Sequence, residues 1–211
     1  MTSLKLQRLT VGPLQENCYL LTDEETQSAV LVDPGDEAPR LIRALGAYTL
    51  QAVWLTHAHF DHVGALAELQ EVYDVPVYLH PNDEPLLANA ASSAARFGLR
   101  LRQPKVEYRP LAHAQVLPLG DDEAHCLFTP GHAPGHIAFY FPKAGIVLAG
   151  DALFRGSVGR TDLPGGDHAQ LMESIRTQLL TLPEETAVYP GHGPETTTGR
   201  EARSNPFLVE G

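Results

Sequence analysis

The chain has 211 residues, of which 43% are hydrophobic and 19% are charged, and its formal net charge at pH 7 is -11. This balance excludes an intrinsically disordered chain, and so acidic a protein should repel the phosphate backbone of nucleic acid. The sequence offers neither a signal peptide at its start nor a run of ~20 apolar residues that could span a membrane. We therefore expect one domain over residues 1–211, located in the cytoplasm, with no nucleic-acid partner and no membrane contact.

The first part of the chain predicts strands with one helix between them. Residues 4–9 alternate polar and apolar side chains, as a half-buried strand does. Residues 18–22 and 29–32 are apolar runs that also favour strands. Residues 37–45 carry apolar side chains at helical spacing, and residues 52–55 form a further apolar run, which predicts another strand.

The rest of the chain continues with helices and strands. Helices are predicted over residues 63–72 and 168–180, and a helical segment over residues 82–99 is a candidate cap over a cleft. Further strands are predicted at residues 75–79, 116–119, 124–128, 137–141, 145–148 and 187–189. Cys18 and Cys126 lie in apolar stretches, which indicates buried, reduced thiols.

A cluster of potential metal ligands follows the apolar run at residues 52–55. Three histidines and one aspartate occur within six residues, as His57, His59, Asp61 and His62. Neutral imidazole and carboxylate groups together suit zinc, iron or manganese. Three later apolar runs are each followed by a glycine and a potential ligand, namely His132, Asp151 and His192. Seven candidates in four loops, with no cysteine among them, predict two adjacent metal ions in a catalytic site.

The spacing within the cluster indicates how its members could divide between two ions. His57 and His59 are two residues apart, so in an extended segment they point the same way and can hold one ion. Asp61 and His62 are neighbours, which point apart on a strand but can converge in a loop and hold the other ion.

The later candidates would complete this arrangement. His132 and His192 could each complete the ligand set of one ion. Asp151 suits a bridge between the ions because a carboxylate has two oxygens to share. A water or hydroxide held between two cations ~3.5–4 Å apart is a strong nucleophile at neutral pH. Asp151 and Asp61, which could orient that hydroxide, are therefore the predicted catalytic carboxylates.

The motif His-x-His-x-Asp-His, with a later His, Asp and His, resembles the metallo-β-lactamase superfamily over nearly the whole chain. The resemblance implies an α/β fold, a four-layer αββα sandwich forming a single domain, with metals at one edge of the two sheets. It implies a first metal bound by His57, His59 and His132, a second bound by Asp61, His62 and His192, and a bridging Asp151. The implied cofactors are two divalent metal ions, with zinc as the first choice and iron or manganese as alternatives.

Within that superfamily the chain is most similar to the glyoxalase II group. The similarity lies in residues 150–162, in residues 129–136 and in the tail over residues 199–206. It implies hydrolysis of hydroxyacyl-glutathione or a similar small-molecule thioester through a metal-bridging hydroxide, by a monomer or a homodimer. The implied substrate contacts are Arg160, Arg200 and Arg203. Arg160 keeps a positive charge typical of the group, whereas Asp162 replaces a tyrosine that contacts glutathione there.

Other functions remain open at this point. Persulfide dioxygenases share the scaffold and use one iron, for which His59, His132 and Asp151 would be the ligands. A tRNA-processing nuclease is disfavoured by the acidic charge, and a lactone or lactam hydrolase or a non-catalytic metal protein are further alternatives. His136 is a candidate for orienting a ligand, and Asp33 could either support the ligand loops or serve turn formation.

Overall fold

A computed structural model describes residues 3–209 and contains two six-stranded sheets. The first sheet runs in chain order, as β1 (Leu4–Val11), β2 (Glu16–Asp23), β3 (Ser28–Val32), β4 (Thr49–Trp54), β5 (Val77–Leu79) and β6 (Tyr108–Pro110). Strands β1 to β3 pair antiparallel, and β3 to β6 pair parallel. The parallel strands therefore end at one edge of this sheet.

The second sheet is formed by later strands of the chain. Its members are β7 (Val116–Leu119), β8 (Asp122–Phe128), β9 (Ile137–Phe141), β10 (Ile146–Gly150), β13 (Ala187–Pro190) and β14 (Thr196–Thr197), in the order β14-β13-β10-β9-β8-β7. A two-stranded hairpin, β11 (Leu153–Phe154) and β12 (Ser157–Val158), follows β10. Strands β8, β10 and β13 share one direction, because β9 is antiparallel to both β8 and β10.

The helices are short. They are α1 (Ala38–Leu45), α2 (Phe60–Val63), α3 (Leu66–Val72), α4 (Glu84–Ala88), α5 (Ala90–Arg96), α6 (His168–Ser174), α7 (Thr198–Ser204) and α8 (Pro206–Val209). A 3-10 turn at Pro81–Asp83 precedes α4, and α6 continues as a π-helical stretch at Ile175–Leu179. Within residues 3–209, no helix has the length and apolar character needed to cross a membrane.

The core is divided by the two sheets. Between them, Trp54 of β4 packs against Phe139 and Phe141 of β9, and all three side chains are almost fully buried. The outer face of the first sheet is covered by α1 and α3, and that of the second by α6 and its π-helical continuation. These layers follow the order helix, sheet, sheet, helix, so the predicted four-layer αββα sandwich is confirmed.

Two predicted helices are broken in the structure. The segment 63–72 is divided at Gly64, where a Cβ atom would lie 2.2 Å from the carbonyl oxygen of Gly35. The segment 82–99 contains α4 and α5 with Asn89 between them. Cys18 and Cys126 are buried free thiols, as their apolar surroundings predicted.

Candidate metal centre

All the predicted ligands lie at one edge of the two sheets. His57 and His59 follow β4, and Asp61 and His62 lie in α2 immediately after them. The other three follow parallel strands of the second sheet, with His132 after β8, Asp151 after β10 and His192 after β13. The two sheets are joined here by a hydrogen bond from the Ile137 N–H to the Thr56 carbonyl, 2.7 Å long. Strand direction therefore brings residues that are up to 135 positions apart to one place.

His57, His59 and His132 form one group of potential ligands. One ring nitrogen of each lies within 4.8 Å of the others. His59 Nδ1 and His132 Nε2 are 2.9 Å apart, and His57 is completely buried. The group matches the set that the family resemblance implies for the first metal.

Asp61, His62 and His192 form a second group with the same spacing limit of 4.8 Å. His192 Nε2 lies 3.3 Å from Asp61 Oδ2. Asp151 lies between the groups, since its Oδ2 is 3.5 Å from His132 Nε2 and 3.6 Å from His192 Nε2. Its other oxygen, Oδ1, is 3.6 Å from His62 Nε2. Asp151 thus has the position that a shared carboxylate needs.

Three of the potential ligand atoms have no hydrogen-bond partner among residues 3–209, and this leaves them able to bind metal ions. In the described part of the chain, His57 Nε2, His62 Nε2 and Asp151 Oδ1 are buried and have no hydrogen-bond partner. A buried polar atom without a partner is unfavourable. Cations between these atoms would satisfy them, so the cluster of histidines and aspartates fits two metals.

Asp33 also lies close to His57 and His62, but its oxygens are already used. They accept hydrogen bonds from Thr56 N–H at 2.7 Å, from Thr56 Oγ1 at 2.6 Å and from His62 Nδ1 at 3.0 Å. The last bond leaves Nε2 of His62 free for a metal. Asp33 therefore supports a ligand, and its φ of 51° also gives the backbone a left-handed conformation where the chain leaves β3.

One predicted ligand, His132, and the predicted orienting residue His136 each form hydrogen bonds with groups outside the two sets of ligand atoms. His132 Nδ1 donates to the carbonyl oxygen of Arg160 at 2.8 Å, which leaves its Nε2 for a metal. His136 Nε2 accepts the N–H of Asp151 at 3.1 Å, so its Nδ1 carries the proton and donates to Thr129 Oγ1 at 2.8 Å. The role suggested for His136 thus has a physical basis, a contact to the backbone of Asp151.

The histidines of the site differ in pKa, because burial lowers the pKa of some and neighbouring carboxylates raise the pKa of another. Burial and neighbouring imidazoles lower the pKa of His57, and they lower the pKa of His59 to about 3. Both rings are therefore neutral at pH 7, the form that binds a metal. Burial also acts to lower the pKa of His62, but the carboxylates of Asp151 and Asp33 outweigh it and raise that pKa well above its usual range. A cation binding beside His62 would displace a proton.

A cavity of about 1060 Å³ opens onto both groups. Five of the predicted ligands reach its wall, namely His59, Asp61, His132, Asp151 and His192. The candidate cap over residues 82–99 forms one side through Leu86, Ser93 and Phe97, and the β11–β12 hairpin adds Phe154. The largely apolar wall leaves room for an organic substrate beside the metal groups.

The three predicted substrate arginines have different surroundings. Arg160 lines the cavity, but its Nε and Nη2 bind both carboxylate oxygens of Asp162, at 2.7 and 2.8 Å. Arg200 and Arg203 are not among the residues that line the cavity. Arg203 pairs instead with Glu184 at 2.5 Å.

The fold of the tail explains where Arg200 and Arg203 lie. The buried face of α7 carries Glu201, whose Oε2 accepts the Gly156 N–H at 2.8 Å and a hydrogen bond from Asn205 Nδ2 at 2.9 Å. Both arginines are therefore turned to solvent, and a contact of either with substrate stays a prediction. The tail instead holds the β11–β12 hairpin that lines the cavity.

Two residues at the site were not predicted from the sequence. Arg96 lines the cavity, and within residues 3–209 no carboxylate forms an ion pair with it. Glu16 is 1% exposed, its Oε1 lies 3.8 Å from His62 Nδ1, and neither oxygen has a hydrogen-bond partner in the described residues. An acid at the start of the apolar strand β2 was the available signal for Glu16, whereas Arg96 ends an ordinary helix pattern.

Comparisons with known proteins cover nearly the whole chain. A family model for the metallo-beta-lactamase superfamily matches residues 11–192, a range that includes all seven predicted ligands. The probable metallo-hydrolase YqgX of Bacillus subtilis is 43% identical over 212 residues, which cover 97% of this chain and 98% of that protein. The hydroxyacylglutathione hydrolase GloC of Haemophilus influenzae is 38% identical over 213 residues, with the same coverage of 97% and 98%.

Three solved structures are also similar to this chain over nearly its whole length. TTHA1623 in a di-iron-bound form has a TM-score of 0.89 at 50% identity, covering 96% of this chain and 100% of that one. BLEG-1 B3 metallo-beta-lactamase has a TM-score of 0.90 at 40% identity, covering 97% and 100%. ETHE1 from Myxococcus xanthus has a TM-score of 0.79 at 30% identity, covering 98% and 85%.

Proposed function

The chain belongs to the metallo-beta-lactamase superfamily, and from this membership we propose that it is a binuclear metallohydrolase that cleaves thioesters. The proposed substrate is hydroxyacyl-glutathione or a similar thiol ester, as in glyoxalase II. The observation that carries the proposal is the carboxylate of Asp151, which lies between the two ligand groups. Its Oδ1, like Nε2 of His57 and Nε2 of His62, is buried without a hydrogen-bond partner in the described residues. The 38% identity to a hydroxyacylglutathione hydrolase supports the substrate class.

In this proposal His57, His59 and His132 hold the first metal, Asp61, His62 and His192 hold the second, and Asp151 is shared. Two bound divalent cations would supply a hydroxide at neutral pH and polarise the acyl carbonyl. Zinc is the proposed metal, with iron and manganese as alternatives, and the di-iron form of TTHA1623 gives iron particular weight.

The protein's own groups have separate roles in the reaction. Asp61 lines the cavity, so its carboxylate can accept a hydrogen bond from the attacking hydroxide and hold that oxygen towards the acyl carbon. Phe60, Phe97 and Phe154 line the same cavity and would exclude water around the thioester. Arg96 is the cavity cation that is free to meet a negative charge on the thiol carrier.

The ion pair between Arg160 and Asp162 gives a prediction about the thiol carrier. Asp162→Asn should release the Arg160 guanidinium, which lines the cavity, and lower the KM for lactoyl-glutathione by roughly two- to fivefold, the size expected for one exposed ion pair. The double variant Asp162→Asn/Arg160→Gln should lose this gain, with kcat unchanged throughout. Steady-state kinetics at low salt measures both values, and an equal KM in all three proteins would contradict a role for Arg160 in binding the carrier.

The proposed function is tested on purified protein with measured metal content. Lactoyl-glutathione should be hydrolysed by protein containing two metals per chain, followed as loss of the thioester absorbance. A β-lactam is assayed in parallel for comparison, because the similar protein BLEG-1 is a B3 metallo-beta-lactamase. Absence of thioester turnover in protein that holds two metals would refute the proposal.

A persulfide dioxygenase is the alternative that the likeness to ETHE1 favours. It would use a single iron held by His59, His132 and Asp151, which lie on the cavity wall. Oxygen uptake with glutathione persulfide by protein holding one iron per chain would establish this alternative in place of thioester hydrolysis.

A further inference from the structure

Asp83 is a buried carboxylate close to the metal centre that belongs to neither ligand group. It ends the 3-10 turn Pro81–Asp83 between β5 and α4, and its exposure is 0%. Its Oδ2 accepts the backbone N–H of Ala58 at 3.0 Å, and its Oδ1 accepts the N–H of Gly135 at 2.5 Å. One carboxylate therefore joins two segments that are far apart in the chain.

Both N–H groups belong to loops that carry ligands of the first group. Ala58 separates His57 from His59, so a shift of its amide moves both imidazoles. Gly135 lies in the loop over residues 129–136 between β8 and β9, which also carries His132 and His136. We infer that Asp83 is a positioning residue that holds these two loops at the separation needed to bind the first metal.

The surroundings of Gly135 support a close, specific contact. A Cβ atom at this position would lie 2.8 Å from both the N and the Oδ1 of Asp83. Only a residue without a side chain lets the loop come this near to the carboxylate.

The chemistry of the contact requires a carboxylate. An ionised carboxyl group only accepts hydrogen bonds, so it can receive both N–H groups at once. Burial raises the pKa of Asp83 to about 6, while the hydrogen bonds from Gly135 and Ala58 act against this rise. The ionised form is therefore the major one at pH 7. An asparagine of the same size would turn its NH₂ group towards one of the two donors.

A simpler role as a helix cap does not account for Asp83. It occupies the N-cap position of α4, but its side chain makes no capping hydrogen bond there. Both oxygens are directed at the ligand loops instead, with bonds to residues 25 and 52 positions away in sequence.

The test compares Asp83→Asn with Asp23→Asn. Asp23 is also 0% exposed and its Oδ1 accepts the Thr26 N–H at 2.7 Å, but it lies at the opposite end of β2 from Glu16 and the metal centre. In metal-free protein, Asp83→Asn should speed hydrogen exchange of the Ala58 and Gly135 amides, measured by NMR. Asp23→Asn should leave those two amides at the wild-type rate.

Metal titration gives the second measurement. Asp83→Asn should weaken binding of one zinc ion by roughly 10–100-fold, the usual effect of removing a group that orients ligands, while the other ion keeps its affinity. Gly135→Ala, whose Cβ would press on the same carboxylate, should show the same selective loss. If the Asp83→Asn protein does not fold, the zinc affinity of Gly135→Ala still tests the inference.

Unchanged amide exchange, or an equal loss of both ions, would overturn the role of Asp83. So would a loss of zinc affinity that Asp23→Asn reproduces, since it would reflect general destabilisation. The inference rests on the proposed metal centre but uses no substrate. Wild-type protein that binds two ions without thioester turnover would refute the proposed reaction. The amide-exchange and zinc-binding results would still test the role of Asp83.

Discussion

Replacing Asp151 with alanine should lower kcat/KM for the thioester by at least about 10³-fold, because a central catalytic group would be lost. Its two oxygens lie 3.5 to 3.6 Å from Nε2 of His132 in the first ligand group and from Nε2 of His62 and His192 in the second. Without this carboxylate, nothing at that position balances two cations or keeps them at a common distance. We expect the variant to bind the second ion weakly and to turn over slowly even when it is folded.

Two further variants make the result specific. Asp151→Asn keeps the size of the side chain and one oxygen but removes the charge, so its loss should approach that of alanine. Asp121→Ala removes an exposed carboxylate just before β8, at the opposite end of that strand from His132, and should retain parental activity. Steady-state kinetics with metal analysis checks all three. Activity of Asp151→Ala within tenfold of the parent, with two metals bound, would contradict the shared role of Asp151.

The candidate ligands could be predicted from the sequence because their signals are local. Each lies directly after an apolar run, and parallel strands end at a common edge whatever their order in the sheet. His57, His59, Asp61 and His62 also share one short segment. The layering of the two sheets is different, since hydrophobic periodicity does not state which strands become neighbours. It came from resemblance to a known family.

The supporting contacts could not be predicted in the same way. Asp83 acts on backbone N–H groups of Ala58 and Gly135, and an amide donor has no signature in the sequence. The orientation of a helix also matters, because Arg200 and Arg203 face solvent once Glu201 occupies the buried side of α7. The resemblance to the glyoxalase II group suggested both arginines as substrate contacts, but it does not state which way a helix faces.

Removing the metals with a chelator should abolish turnover and lower the midpoint of thermal unfolding by more than about 10 °C. Ions present at 100 times their dissociation constant stabilise the folded protein by about 2.7 kcal/mol per site. For a protein of this size, each 1 kcal/mol corresponds to roughly 2–4 °C. The structural reason is that His57 Nε2, His62 Nε2 and Asp151 Oδ1 are buried without another partner in the described residues.

Returning two equivalents of zinc should restore both activity and thermal stability, whereas one equivalent should restore only part of each. Calorimetry and thioester hydrolysis on the same samples follow the two effects together. His57→Ala removes a buried ligand from the first group, so its unfolding midpoint should respond less to added zinc than that of the parent. A metal-free His57→Ala protein that hydrolysed the thioester at the parental rate would show that the reaction does not use the metals, because neither the ions nor an intact first group would then be present.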